Sequence, residues 1–317
     1  MDTTSTLSNQ MAIYYNKRAL DRLVPKLELF KFGQPDVIPL RMGKIIVWFR
    51  YLNLAAVTSA ATEGVVGSAN AMSSSRISDT LARYEDYVTH SDLLSMVAID
   101  PIIESFTDIF ANQIRLSIDT LCRNVLHSGT VRFANGKSAA SDVATSDLLD
   151  VAELRYNVAS LEGRDVQPHH LTEGFYPSII HPNCKYDLTG DTATGGWIDI
   201  RKYTDSGEKM IEKNKAGDVV GARVFVSSNI YKPLEAASSA KLYYNLMFGE
   251  GAFGVPNLSN KGAGATFTKP NVIVKPVGSA GSADPTNKIG SVGWFIYFLA
   301  KLLDADRVQV IKTQASI

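Results

Sequence analysis

His169 and His170, followed by His181 and Cys184, come nearest to a chemical site, because imidazole and thiolate are the usual zinc ligands. Their spacing fits no compact metal pattern, and Pro168, Pro177 and Pro182 put them in loop and turn sequence. The pair therefore reads as solvated loop histidines, and His181 as a strand-end residue that bonds backbone. Gly249-Glu250-Gly251-Ala252-Phe253-Gly254 has the look of a phosphate-cradling loop. Such a loop must follow a strand and open a helix, whereas Pro256 and a glycine-rich stretch come next here. Gly136-Lys137-Ser138 lacks the earlier glycine of a nucleotide loop. No serine stands in a Gly-x-Ser-x-Gly elbow between strand and helix, since Gly278-Ser279-Ala280-Gly281 is a loop. The carboxylates Glu85 and Asp86, or Asp304 and Asp306, fall in strand and turn contexts that suit solvated or ion-paired groups. No catalytic, cofactor-binding or metal-ligating residue is singled out, and no cofactor is expected.

Arg115, Arg123, Arg132 and Lys137 place positive charge along and just after a long helical stretch, balanced by Glu104, Asp108 and Asp119. Aromatic residues are not interleaved with these charges, which argues against single-strand or sequence-specific nucleic-acid binding. Lysine plus arginine number 32 and aspartate plus glutamate 32, so the chain has no net field to hold a polyanion. No apolar run approaches the roughly 18 residues of a membrane span, and Met1-Asp2-Thr3-Thr4-Ser5 is not the start of a signal peptide. The expected setting is cytoplasm. Two cysteines, Cys122 and Cys184, are too few for a disulfide framework and are expected to be reduced and structural.

The elements that must position these groups are legible from periodicity. Leu7 to Val24 repeats Met11, Tyr14, Tyr15, Leu20 and Leu23 at helical spacing up to Pro25, a helix within an N-terminal arm. Lys44 to Tyr51 is β-branched and aromatic and reads as a strand. Residues 53 to 78 are rich in Ala, Ser, Gly and Thr and cannot build a core, so they read as a long extended hairpin loop. Thr80 to His90 is expected to be the returning strand. Ile99, Ile102, Ile103, Phe106, Phe110, Ile114, Ile118, Leu121 and Val125 form one helical stripe that His127-Ser128-Gly129 ends. A second helix is expected from Asp147 to Leu161. Mixed elements follow: a strand at Phe175–His181, helices at Pro182–Leu188 and Trp197–Tyr203, and strands at Ala222–Val226, Leu242–Phe248 and Asn271–Lys275. Val292–Ala300 and Arg307–Lys312 read as two strands joined by a turn near Asp304-Ala305-Asp306. At 317 residues with this irregular order, the chain fits an α+β plan of two interlocked domains with extensions.

Colinear stretches over most of the chain carry a resemblance. They include Tyr15-Asn16-Lys17-Arg18-Ala19-Leu20, Phe32-Gly33-Gln34, Thr62-Glu63-Gly64, Tyr84-Glu85-Asp86-Tyr87-Val88, Ala98-Ile99-Asp100-Pro101 and Leu116 to Leu126. Further on come Ile179-Ile180-His181-Pro182, Trp197-Ile198-Asp199, Gly221 to Val226, Phe253-Gly254-Val255, Ala283 to Asn287, and Val292-Gly293-Trp294. In this order they resemble phage major capsid proteins, the group typified by the coat protein of coliphage N-four, within the Hong Kong 97-type capsid fold. Phe295-Ile296-Tyr297-Phe298 departs from it, because that group has a more polar strand there.

The resemblance implies an N-terminal arm (1–40), an extended loop with flanking strands (41–90), a peripheral domain (91–174) with spine helix 99–126, an axial domain (175–285), and C-terminal strands (286–317). It implies a non-enzymatic major capsid protein that self-assembles into an icosahedral shell around the double-stranded DNA genome of a tailed bacteriophage. The expected partners are the chain itself in hexamers and pentamers, a portal, separate scaffolding and decoration proteins, and packaged DNA through nonspecific contact, with no membrane. The expected place is the virion capsid, assembled in the host cytoplasm. Some members crosslink a loop lysine to a neighbour's asparagine, but no lysine lies between Lys44 and Lys137, so no covalent mail is expected. The rival readings are an encapsulin-type compartment shell and a soluble α+β hydrolase.

Overall fold

The computed structural model describes residues 28–38, 43–97, 102–201, 217–231, 242–258, 270–279 and 284–317. The helix expected in the N-terminal arm and the start of the long helix at Ile99 lie outside these residues. In chain order the strands are β1 (Gln34–Ile38), β2 (Ile45–Tyr51), β3 (Ser74–Thr80), β4 (Ala82–Ser91), β5 (Thr130–Phe133), β6 (Tyr176–Ile180) and β7 (Asp218–Val219). There follow β8 (Ala222–Val226), β9 (Tyr243–Phe248), β10 (Phe253–Leu258), β11 (Asn271–Lys275), β12 (Ile289–Phe298), β13 (Lys301–Leu302) and β14 (Val308–Thr313). The helices are α1 (Asp92–Val97), α2 (Ile102–Leu126), α3 (Val151–Glu162), α4 (Pro182–Thr189) and α5 (Trp197–Arg201).

The chain divides into two compact units. The larger takes in Pro25–Glu85, Gln113–Asn271 and Phe295–Ile317. Its centre is a six-stranded mixed sheet in the order β5-β14-β9-β6-β8-β7. Side chains alternate across a sheet, so the register Ile179, Leu246, Val310 sends one buried row to one face, while Ile180, Met247 and Ile311 go to the other. That second face is covered by helices. Val151, Leu154, Val158 and Leu161 recur on α3 at steps of three and four, and they pack with Tyr176, Ile180, Val224 and Met247 and with Cys184, Leu188 and Trp197. Burying four such aliphatic side chains stabilises the unit by roughly 1.5–3 kcal/mol each before ordering costs.

Local chemistry sets the helix ends. Asp150 caps α3 by accepting from Glu153 N at 2.7 Å, and Glu153 in turn takes Arg132 at 3.0 Å and Asn135 N at 2.7 Å. His181 caps α4, its Nδ1 accepting from Asn183 N, and Pro182 stands in the first turn where a missing N–H costs nothing. Beyond the end of α2, Gly129 runs against β14, and a Cβ there would lie 2.6 Å from Val308 Cγ1.

Two further sheets belong to this unit. β1 pairs parallel with β10, which pairs antiparallel with β13. β2 and β3 form a two-stranded antiparallel ribbon from Ile45↔Thr80 to Tyr51↔Ser74. The ribbon corrects the expectation that Thr80–His90 returns the hairpin: the partner is the polar segment Ser74–Thr80. A free ribbon has no core face, so nothing in its partner's hydrophobic pattern announces it.

The second unit gathers Asp86–Asn112 and Val272–Trp294. Within it the sheet runs β11-β12-β4. Along β12, Gly290, Val292 and Trp294 are buried while the intervening residues are partly open, the period of two of a strand covered on one face. Gly290 is needed because the buried His90 ring on β4 leaves no space: a Cβ would lie 2.5 Å from its Nε2. The expectation that the last two strands pair through the Asp304 turn is corrected, since β12 belongs to this sheet and β14 pairs with β5 and β9. Strands β1, β5 and β10 and helix α1 were not foreseen, being too short or too polar to show a period.

Candidate assembly surfaces

An open groove of about 750 Å³ is lined by Asp150, Asp187 and Asp191 with Ser146, Thr189 and Ser316. Each carboxylate there has a structural partner. Asp150 caps α3, Asp187 accepts from Ser316 N at 3.0 Å and from its hydroxyl, and Asp191 accepts from Ala193 N at 3.0 Å. No histidine, cysteine or lysine is among the residues that line it, and its carboxylates serve a helix cap, a loop turn and the C-terminal segment.

The histidines and cysteines suggested by the sequence are engaged in structural contacts. His169 is buried, not solvated as expected: its Nε2 lies 3.2 Å from Phe32 O, its Nδ1 accepts from Leu171 N, and its ring meets Phe32 edge-on. Burial and the neighbouring His170 hold its pKa below the usual imidazole range. His170 stays exposed, 3.2 Å from Glu250. Cys184 touches Thr313 Oγ1 at 3.6 Å, and burial pushes its thiol up to about 11. Cys122 is raised further by burial and Asp119, so both stay protonated thiols. No cluster of three metal-ligating side chains occurs among the described residues.

The cations suggested as a polyanion face are partly spent inside. Arg123 donates to Asn229 O at 2.8 Å, and Arg132 forms a two-point pair with Glu153. Asp119, near Arg123, is buried, accepting from Leu29 N at 2.9 Å and Asn229 Nδ2 at 3.0 Å. Burial still raises its pKa against those bonds. His127 lies between Tyr231 and Tyr244, and burial, with Arg123 and Lys312 nearby, lowers its pKa to about 4.

The outer part of the β2–β3 ribbon and its connecting loop stand open to solvent. Every residue from 51 to 74 is exposed, with Val57 at 85% and Val66 at 96%, and Phe49 just before them at 66%. Leu52, Leu54, Val65 and Met72 join them. Soluble monomers seldom expose that many large apolar side chains on one extension. The root, by contrast, is tied to the β1-β10-β13 sheet. Trp48 Nε1 donates to Asp36 Oδ2 at 2.8 Å, and Gly254 lets the Trp48 ring approach, since a Cβ there would be 3.1 Å from Cζ2. Lys301 pairs with Asp79 at 3.0 Å, and Asp304 takes both Arg50 and Arg307. Pairs this exposed contribute only about 0–1 kcal/mol each. Their effect is to aim the ribbon. None was visible in the sequence, because Arg50 and Asp304 are 254 positions apart.

Neither family models nor curated proteins match this chain. Solved structures do. A chain of the capsid structure of cyanophage P-SCSP1u superposes with a TM-score of 0.72 at 12% identity, covering 98% of this chain and 94% of that one. The capsid of Ralstonia phage GP4 gives 0.72 at 13%, covering 96% of each. The capsid asymmetric unit of cyanophage Pam1 gives 0.71 at 12%, covering 100% of each. The expected α+β class and Hong Kong 97-type capsid fold are borne out by these full-length likenesses.

Proposed function

We propose that this chain is the major capsid protein of a tailed bacteriophage, building the icosahedral shell around its double-stranded DNA. The observation that carries the reading is the coincidence of a capsid-type fold over the whole described chain with an apolar ribbon whose outer part stands open to solvent. Burial of seven or eight such side chains on neighbouring copies offers a gross gain on the order of 10–20 kcal/mol. That exceeds most estimates of the cost of association, about 4–15 kcal/mol. Closure then multiplies modest contacts. Equal numbers of acidic and basic side chains remove the long-range repulsion that would oppose packing like copies.

In this reading 1–40 is the arm, 41–90 the extended loop, 91–174 the peripheral domain, 175–285 the axial domain and 286–317 the returning strands. The chain pairs with itself in hexamers and pentamers, with a portal and separate scaffolding and decoration proteins beside it. It belongs in the virion and works as a structural protein without catalysis, grouped with coat proteins of the coliphage N-four type. Negative-stain microscopy with light scattering on the purified chain, with and without its phage neighbours, tests the proposal. Shells or capsomer-sized rings are expected; a homogeneous monomer under every condition overturns it.

A further inference from the structure

Gly136-Lys137-Ser138, which fails as a nucleotide loop, follows β5 through Ala134 and Asn135 and borders a groove of about 270 Å³. The groove is also lined by Arg132, Tyr156, Arg164 and Gln309. The loop is pinned: Asn135, at φ 53°, gives its N–H to Glu153 and its side-chain amide to Asp147 at 2.7 Å. Arg132 is neutralised by Glu153 and lies 3.4 Å above the Tyr156 ring centroid. Lys137 and Arg164 have no ion pair with a carboxylate among the described residues. Asp147 feels Lys137, but its oxygens accept from Asn135 and Ala144. Two cations thus line one small groove without a carboxylate in direct contact among the described residues, although Asp147 lies within the field of Lys137.

The floor of the groove supplies an independent observation. Gln309 is 2% exposed and its Oε1 has no partner. Its Nε2 and Arg164 Nη2 both point at Ser160 Oγ, each at 2.9 Å, while the Ser160 hydroxyl hydrogen has no acceptor among the described residues. Turning the amide over removes both faults: Ser160 accepts from Arg164 and donates to Oε1. The Gln309 NH₂ then becomes a buried donor with nothing to donate to. Cations that meet no carboxylate directly, gathered on one groove, call for an anion.

We propose that this groove binds a phosphate-class oxyanion through Lys137 and Arg164, with the Ser138 hydroxyl completing the donors. Its volume is below the roughly 300–1,000 Å³ of sites for drug-sized ligands, so it suits one phosphate group and not a nucleotide. That group is either free phosphate or a single phosphate of a nucleic-acid backbone crossing the surface.

The test is equilibrium dialysis of the full-length chain with labelled inorganic phosphate at low salt, for the wild type, Lys137→Gln, Arg164→Gln and Arg115→Gln. Arg164 also holds Thr130 and the Asp306 carbonyl, so the exposed Lys137 decides if Arg164→Gln misfolds. One saturable equivalent per chain is expected, weakened about ten-fold or more by Lys137→Gln and unaffected by Arg115→Gln. No saturable uptake by the wild type, full uptake by Lys137→Gln, or equal loss in Arg115→Gln overturns the proposal. A short DNA duplex added as competitor separates the sources: displacement that fades with salt assigns the site to a backbone phosphate, and retention assigns it to the free ion.

Discussion

Replacing residues 53–72 by a five-residue Gly-Ser loop separates folding from assembly. Every residue removed is exposed, and the ladder below it, closed by Leu52 N to Ser73 O at 3.0 Å, is untouched. No buried apolar surface is lost. Shortening the loop four-fold lowers its closure entropy by about (3/2)RT ln 4, or ~1.2 kcal/mol in favour of the folded state. For a chain of this size that is a rise in thermal midpoint of about 4 °C at most. The variant should therefore give the wild-type circular dichroism spectrum and an equal or slightly higher midpoint, and yet form no shells by light scattering and negative-stain microscopy. Refutation has two forms. A midpoint lowered by more than a few degrees would show the tip packs on its own body, and shells of normal size would show the ribbon is not what joins copies.

Leu154, fully buried between α3 and the sheet, should cost about 2–5 kcal/mol as Leu154→Ala, read as a lower urea midpoint; less than about 1 kcal/mol would mean the cluster is loosely packed. Gly290→Ala drives a Cβ into the buried His90 ring and should cost about 1–3 kcal/mol by the same assay, an unchanged midpoint showing that the ring has room to move. His127 titrates near 4 when folded against about 6.5 unfolded, so the unfolded state binds the extra proton between these values. Its contribution to stability is full above pH 6.5 and falls as pH drops toward 4, by up to ~3 kcal/mol. His127→Gln should flatten that part of the pH profile, and an unchanged slope would place the imidazole in solvent.

Long periodic segments were legible without the structure. The stripe from Phe106 to Val125, the β-branched run Ala222–Val226 and the helix expected at Asp147–Leu161 each carry their period locally, so α2, β8 and α3 came out within a few residues. The composition of 53–78 was likewise enough to exclude a core there, because apolar area is a property of the residues themselves.

Pairing was another matter. The ribbon's partner strand Ser74–Thr80 alternates polar side chains around no core, and β12 and β14 are chain neighbours that join different sheets. Which strand edge a segment meets depends on hydrogen bonds every backbone can make, and sequence spacing does not encode the choice. The same holds for the ties that aim the ribbon, Arg50 with Asp304 and Lys301 with Asp79, and for the groove that gathers Lys137, Arg164 and Gln309. The sequence by itself determined the fold class, the long helices and the absence of a core in the extension. Only the tertiary structure decided what holds that extension and which cations share a groove, since both depend on residues brought together across most of the chain's length.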